Sequence, residues 1–311
     1  MHHRVTAAGR NLALIALLLM GACSSESTAA SDGDDKKQRP IVVASFNFSE
    51  SEILAEIYAA ALQQNGFPVE RLANVASCEI MQPALQQGEV DLVLEYLGSS
   101  LTCLQGGATE VSPHPTRAHA QLEAALVKLG VKVLDFARAQ DKNVIVVTEA
   151  TSRRSGLDSI SDLSSVAPEL VFGGPPECPT RPLCLEGLER VYGIRFKSFT
   201  TLDASGPLTL GALERGEVDV ALMFSTHPAL STHDLVVLRD DRRLQPPENV
   251  VPVIRSSVVS EYGRSVTAVI DAVTARITTG ALRRLNKQVD VFGERASDVA
   301  KVWLDEEVAI P

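Results

Sequence analysis

Two stretches of the chain carry the same pattern of residues. Residues 84–96 read ALQQGEVDLVLEY, and residues 212–224 read ALERGEVDVALMF. Each begins as the end of a helix, stops at a glycine suited to the left-handed conformation, and continues as a short apolar run typical of a buried strand. Ligands bind beyond the carboxyl ends of strands in open α/β sheets, so Tyr96 and Phe224, which end the two runs, are candidates for one site. The repeat predicts two similar α/β lobes; the alternative is a chance likeness between two common helix–glycine–strand units.

The composition restricts both the architecture and the class of partner. A chain of 311 residues is long enough for two domains of ordinary size. Apolar residues make up 45% of the chain and aromatic residues only 5%, so we expect an aliphatic core in which each exposed aromatic ring is informative. The net charge of −10 argues against a non-specific nucleic-acid binder, because neutralising phosphates requires a basic surface.

The N-terminus has the pattern of an export signal. Basic residues precede the apolar run Leu12–Met20, which is too short to span a membrane, and the following Gly21, Ala22 and Cys23 resemble a bacterial lipobox. This resemblance predicts a signal peptide over residues 1–22 and a lipid on the Cys23 sulfur, with a plain secretory peptide as the alternative. Residues 23–39 are polar and predict a flexible tether. The expected location is therefore the extracytoplasmic face of the cell membrane, by a lipid anchor.

The predicted export bears on the other four cysteines, because disulfide bonds persist outside the cytoplasm. Cys178 and Cys184 are near neighbours in a proline-rich loop, and Cys78 and Cys103 flank the first repeated unit. Among the three possible pairings we predict Cys78–Cys103 and Cys178–Cys184; free buried thiols are the alternative. We predict no metal site, because no Cys-x-x-Cys pair and no nearby pair of histidines accompanies these residues.

Strands and helices alternate along the rest of the chain. A buried strand over residues 41–45 precedes a helix from about residue 51, for which Ser49 and Glu52 have the spacing of a capping box. The apolar run at 143–147 is predicted to cross into a second lobe, and residues 250–254 are predicted to return to the first. Three helices without intervening strands follow. We therefore predict a first lobe from residues 40–140 and 250–311, a second lobe from residues 141–249, largely parallel sheets, and a cleft between the lobes.

Several segments resemble one family of transport proteins. These are residues 41–58 (IVVASFNFSESEILAEIY), residues 88–98 (GEVDLVLEYLG), Pro179–Arg181, Val191–Gly193 and Phe224–Thr226. Together they resemble the substrate-binding proteins of osmoprotectant ABC transporters, and most of all the ProX-like lipoproteins of actinobacteria. The resemblance implies the type II periplasmic-binding-protein fold, with two α/β lobes joined by two crossover strands. It also implies a ligand such as glycine betaine, choline or carnitine, and as partners an ABC permease and its ATPase. It implies no cofactor.

The family binds a quaternary ammonium group in a box of aromatic rings and grips the ligand's carboxylate with an arginine. Carried over by position, Tyr96 and Phe224 are expected to be walls of the box and Arg181 the carboxylate arginine. The other expected ligand-binding residues flank two strand ends; they are Ser45, Phe46, Asn47, Ser225 and Thr226.

The residues leave several alternatives open. Tyr96, Phe46 and Phe224 could be core aromatics, and Arg181 could be a surface residue beside a disulfide. The chain has only four tyrosines, so the box is sparse, and a larger, less charged or aromatic small molecule is a second candidate ligand. An enzyme on the same fold is a third possibility. It is disfavoured because the chain has no Gly-x-Ser-x-Gly, no His-Glu-x-x-His and no phosphate loop.

Overall fold

The computed structural model describes residues 38–104 and 111–307, which belong to one compact unit. Its ten strands are β1 (Ile41–Phe46), β2 (Val69–Val75), β3 (Leu92–Tyr96), β4 (Val131–Val133), β5 (Asn143–Thr148), β6 (Val171–Gly174), β7 (Ser198–Thr201), β8 (Val220–Phe224), β9 (Leu235–Val237) and β10 (Val250–Arg255). The helices of these residues are α1 (Ser49–Gln64), α2 (Cys78–Gln87), α3 (Leu97–Leu104), α4 (Pro115–Leu126), α5 (Glu149–Ser155), α6 (Leu185–Gly187, continued by a wider turn over Leu188–Tyr192), α7 (Pro207–Glu214), α8 (Ser256–Tyr262), α9 (Arg264–Thr274), α10 (Thr279–Asp290) and α11 (Ala296–Glu307). None of the helices in these two ranges is both long and apolar enough to cross a bilayer.

The strands form two five-stranded sheets with matching connectivity. The first has the order β2-β1-β3-β10-β4, and the second has the order β7-β6-β8-β5-β9. In each sheet the first three strands run parallel, and the fourth is antiparallel to both of its neighbours. The antiparallel strands β5 and β10 are the two that adjoin the crossings between the sheets. We call the part built on the first sheet the first lobe, and the part built on the second sheet the second lobe.

The two repeated stretches occupy equivalent positions in the two lobes, as predicted. Gly88 and Gly216 have φ values of +83° and +68°, and each one ends a helix before a central parallel strand. Asp91 accepts a hydrogen bond from the Val42 N–H, and Asp219 accepts one from the Val171 N–H. The repeat therefore forms the same contact in both lobes: an aspartate before one parallel strand accepts a hydrogen bond from the start of the neighbouring strand.

The lobes are joined by two chain segments that lie side by side. Gln140 and Asn249 form an isolated antiparallel bridge where the chain leaves the first lobe and returns to it. After β10 the chain stays with the first lobe, and residues of α9, α10 and α11 share one apolar core with β1 and α1. The helical tail therefore packs onto the first lobe. Its first helix is divided, because Gly263, at a φ of +72°, separates α8 from α9.

The predicted capping box at the start of α1 is wrong. The helix begins at Ser49 itself, Phe48 is its N-cap residue, and no side chain caps it. The Ser51 hydroxyl instead accepts a hydrogen bond from the Phe46 N–H at 2.9 Å. The first turn of α1 is therefore bound back to the end of β1, and this fixes the short loop that carries Asn47 and Phe48.

Candidate functional site

A cavity of about 680 Å³ lies where the two lobes face each other. Its first-lobe wall comes from the end of β1, the end of β3, the start of α2 and one side of α3. Its second-lobe wall comes from the end of β8 and the loop over residues 175–186. The strand ends that the repeat singled out thus face one cavity from two sides.

Aromatic rings from both lobes meet at this cavity. The Phe48 ring centroid lies 6.2 Å from that of Tyr96 and 5.6 Å from that of Phe224. The Phe46 ring lies nearly parallel to that of Phe48, with the centroids 6.3 Å apart. Phe48 is therefore the central ring of an aromatic cluster that joins the two lobes.

Tyr96 is held in place by buried polar groups. Its hydroxyl donates to Glu50 Oε1 at 2.7 Å, and Asn286 Nδ2 donates to Glu50 Oε2 at 2.7 Å. Burial raises the pKa of the Tyr96 hydroxyl well above its ordinary value, and the charge of Glu50 adds to this effect. Because the hydroxyl is already bonded, it is the ring of Tyr96 that is presented to the cavity.

Two buried carboxyl groups, Glu95 and Asp141, line the cavity without a cationic partner among the described residues. Burial raises the pKa of Glu95 to about 7, and its single side-chain hydrogen bond comes from Gln82 Nε2 at 3.1 Å. Burial likewise raises the pKa of Asp141, and the nearby charge of Glu50 raises it further. Buried carboxylates without cations make this side of the cavity favourable for a positively charged group.

A third carboxyl group, Glu248, lies behind the cavity wall. It accepts hydrogen bonds from the N–H groups of Gly98 and Ser99 and from the Ser99 hydroxyl, at 2.9–3.1 Å. Burial nevertheless raises its pKa to about 7. Its charge also raises the pKa of Glu95, so two weakly acidic groups lie next to each other at the hinge side of the cavity.

At the rim of the cavity an ion pair connects the two lobes. Arg181 Nη1 donates to Glu79 Oε1 at 2.6 Å, and Arg181 Nη2 donates to Glu79 Oε2 at 3.3 Å. The hydrogen bonds from Arg181 lower the pKa of Glu79 to about 2. The side chains are 38% and 54% exposed, so water screens part of their attraction.

Both ends of this ion pair lie beside a disulfide. Cys78, next to Glu79, is bonded to Cys103, and the Cys178–Cys184 bond closes the loop that contains Arg181. Both predicted pairings are therefore confirmed. Cys23, the predicted lipid-bearing residue, lies outside the described residues, as do the signal peptide and nearly all of the tether.

The comparison with known protein families agrees with this geometry. Residues 39–306 match the family described as the substrate-binding domain of ABC-type glycine betaine transport systems. The chain belongs to this family. Members of the glycine betaine transport family bind a small solute for an ABC transport system, and the resemblance inferred from the sequence motifs is thereby confirmed.

Individual relatives are distant but cover most of the chain. The chain is 25% identical over 271 residues to the ergothioneine transport permease/ergothioneine binding protein of Helicobacter pylori; the match covers 86% of this chain and 48% of that protein. It therefore spans about half of that relative's length. It is 27% identical over 277 residues to a glycine-betaine-binding protein of Pseudomonas aeruginosa, covering 83% of this chain and 85% of the relative.

Solved structures of the family share the fold. The crystal structure of a glycine betaine/carnitine/choline ABC transporter protein superposes with a TM-score of 0.70 at 24% identity, covering 86% of this chain and 98% of that chain. This likeness confirms the predicted two-lobed periplasmic-binding-protein fold.

The structure places five of the eight expected ligand-binding residues of this family member around the cavity: Phe46, Asn47, Tyr96, Arg181 and Phe224. Their contact with a ligand stays a prediction. Arg181 differs from the expectation in one respect, because its guanidinium is already paired with Glu79.

Ser45, Ser225 and Thr226 do not line the cavity. The Ser45 hydroxyl accepts a hydrogen bond from the Asn74 N–H on the neighbouring strand side. The Thr226 N–H donates to Asp141 Oδ1, and the Ser225 carbonyl accepts from the Arg283 guanidinium of α10. The chain turns after Phe224 toward the first lobe's helices, so Ser225 and Thr226 stabilise the contact between the lobes.

Sequence reasoning missed several residues of the site. Phe48 is not among the expected ligand-binding residues, although its ring is central to the cluster; the available signal was its alternation with Phe46 on either side of Asn47. No local sequence pattern marks Glu79, Asp141 or Glu248 as residues of the site. Their roles depend on partners far away in the chain: Glu79 and Arg181, for example, are 102 residues apart.

Proposed function

We propose that this protein is the extracytoplasmic substrate-binding component of an ABC importer and that it captures a small solute bearing a quaternary ammonium group. The observation that carries this proposal is the ring cluster of Phe48, Tyr96 and Phe224, which is drawn from both lobes and borders a cavity containing Glu95 and Asp141. Aromatic faces attract a cation through their quadrupole, and this attraction increases when the cation is removed from water. A bound cation favours the ionised forms of Glu95 and Asp141, which then add a matching negative charge.

Binding of this kind favours closure of the lobes. Phe48 and Tyr96 belong to the first lobe and Phe224 to the second, so a cation among the three rings interacts with both lobes only when they are together. The ligand therefore has a higher affinity for the closed arrangement and shifts the population toward it. The closed form is the one that we propose delivers the solute to the permease, with the ATPase supplying the energy.

The volume of the cavity supports a second candidate within the same class. At about 680 Å³ it falls in the range that holds drug-sized molecules, roughly 300–1,000 Å³. The name of the Helicobacter pylori relative states that it binds ergothioneine. A quaternary ammonium solute larger than glycine betaine is therefore the second ligand to be tested.

We propose that the protein is a binding protein and not an enzyme, and that a lipid on Cys23 anchors it to the membrane. The first proposal is tested by recovering a bound solute and measuring its mass, which should be unchanged. The second is tested by Cys23→Ala, which should move the protein from the membrane fraction to the soluble exported fraction. If the variant stays in the membrane fraction, the anchor proposal is wrong.

The central experiment is calorimetric titration of the full chain with glycine betaine, choline, carnitine and ergothioneine. We expect at least one of these solutes to bind with a Kd below about 0.1 mM, and Phe48→Ala to weaken its binding by about tenfold through the loss of one ring. Phe292→Ala is the matched control, because Phe292 is 60% exposed and does not line the cavity. Failure of all four solutes to bind below about 1 mM would contradict the proposed function.

A further inference from the structure

Arg181 is the only basic side chain among the described residues that line the cavity. The resemblance to osmoprotectant-binding proteins assigns it to the carboxylate of a zwitterionic ligand. In this protein, however, both of its terminal nitrogens are bonded to the two carboxylate oxygens of Glu79. A guanidinium binds a carboxylate through this paired arrangement, so Glu79 occupies the groups that a ligand's carboxylate would use.

The pair is present at all pH values near neutrality. The hydrogen bonds from Arg181 lower the pKa of Glu79 to about 2, so Glu79 stays ionised. The same contacts raise the pKa of Arg181, which stays protonated. A ligand carboxylate can therefore reach Arg181 only by displacing a charged competitor.

The chain around each partner is restrained. Glu79 lies in the first turn of α2, next to the cysteine that is bonded to Cys103 in α3. Arg181 lies in a loop that a disulfide closes over seven positions, from Cys178 to Cys184. These restraints reduce the conformational entropy that is lost when the two side chains meet.

The other charges of the lining do not compensate for the loss of a free arginine. Besides Glu79, the acidic lining residues are Glu95, Asp141, Glu177 and Glu186. A carboxylate on the ligand would enter a region of predominantly negative charge, whereas a cation without a carboxylate would not be opposed.

We propose that Glu79 acts as a built-in competitor for ligand carboxylates at Arg181 and thereby selects quaternary ammonium solutes that lack a carboxylate over zwitterionic ones. This inference rests on the proposed function, because it concerns the same cavity and the same class of ligand. The pair is partly exposed, so the selection is moderate: releasing Arg181 should increase the affinity for a zwitterion by about fivefold.

The test is a calorimetric comparison of choline with glycine betaine on the full chain. Glu79→Gln should tighten the binding of glycine betaine about fivefold and change that of choline by less than about twofold. Glu123→Gln is the matched control, because it removes one formal charge from an exposed residue of α4 that does not line the cavity and is not bonded to Arg181. It should leave the ratio of the two affinities near the wild-type value. Arg181→Gln in the Glu79→Gln background should cancel the gain for glycine betaine.

The outcomes separate this inference from the proposed function. If Glu79→Gln weakens both ligands equally, the ion pair holds the lobes together and does not select ligands, and the inference is overturned. An unchanged ratio of affinities overturns it as well. If neither choline nor glycine betaine binds to the wild type or to any variant, the inference fails, whereas the proposed function fails only if carnitine and ergothioneine also do not bind. Thermal melting of each variant shows whether a loss of binding reflects a loss of folding.

Discussion

Replacing Glu95 with glutamine should remove one contribution to the loss of stability that the free protein undergoes as the pH rises, while other buried carboxyl groups such as Glu248 retain theirs. In the unfolded chain the Glu95 carboxyl group loses its proton near its ordinary pKa of 4.5, whereas burial raises its pKa in the folded protein to about 7. Between these values the folded protein binds more protons than the unfolded chain. The stabilisation is therefore fully present below about pH 4.5, and it is lost as the pH rises through about 7.

The size of the effect follows from the two pKa values. The interval between 4.5 and about 7, at about 1.4 kcal/mol for each pH unit, corresponds to about 3 kcal/mol of unfolding free energy. The carboxyl group is fully buried, so solvent screening does not reduce this value substantially. Glutamine keeps an oxygen that can accept the hydrogen bond from Gln82 Nε2, so Glu95→Gln removes the ionisation while retaining this contact.

The assay is urea denaturation of the wild type and of Glu95→Gln from about pH 5 to about pH 8. Relative to the variant, the wild type should lose about 2–3 kcal/mol of unfolding free energy over this range. Glu186→Gln controls for the change in net charge, and it should follow the wild type. If the unfolding free energies of the wild type and of Glu95→Gln fall by the same amount as the pH rises, Glu95 is not a buried acid without a cationic partner. The reasoning about the charge of the cavity is then refuted.

Three further predictions follow from other parts of the structure. A bound cation should favour the ionised form of Glu95, so the affinity for choline should increase between about pH 5.5 and pH 8 in the wild type and much less in Glu95→Gln, as measured by calorimetry. Gly187→Ala should lower the unfolding free energy by more than about 2 kcal/mol, because the new Cβ would lie 2.0 Å from the Pro182 carbonyl oxygen. Gly280→Ala, whose Cβ would meet its nearest atom at 3.9 Å, should be neutral or stabilising in the same urea assay. Asp219→Ala should cost about 1–2 kcal/mol by leaving the Val171 N–H without its side-chain partner, and a variant as stable as the wild type would contradict the role assigned to the repeated aspartates.

Features determined by local sequence were predictable. The helix–glycine–strand repeat located the ends of β3 and β8, because a left-handed glycine and an apolar run have strong local preferences. The two disulfides were predictable from proximity in the chain and from the expected compartment. The start of α1 was not predictable in this way. Ser51, and not Ser49, makes the hydrogen bond that fixes it, accepting from the Phe46 N–H, and Ser49 does not cap the helix.

Contacts between distant residues were not predictable in the same way. Arg181 was identified as a candidate carboxylate ligand, but its partner Glu79 belongs to the other lobe and lies 102 residues earlier. Phe48 lies in a loop, and its importance depends on the position of Phe224 in the second lobe. Such pairs depend on how the two lobes face each other, and no local sequence pattern encodes this arrangement directly.

The same long-range contacts connect the wall of the cavity to the hinge. The Tyr96 hydroxyl donates a hydrogen bond to Glu50, which also accepts one from Asn286 of α10. Asn286 Nδ2 lies 3.4 Å from the Thr226 carbonyl oxygen of the second lobe as well. Ser225 and Thr226, which follow the cavity strand β8, are thus bound to first-lobe helices behind the cleft. Because Asn286 contacts both Thr226 and the acid that holds Tyr96, a rotation of the second lobe changes the support of one cavity wall. We therefore expect ring placement and lobe closure to be coupled through Asn286, so that the aromatic cluster is complete only when the lobes are in their closed arrangement.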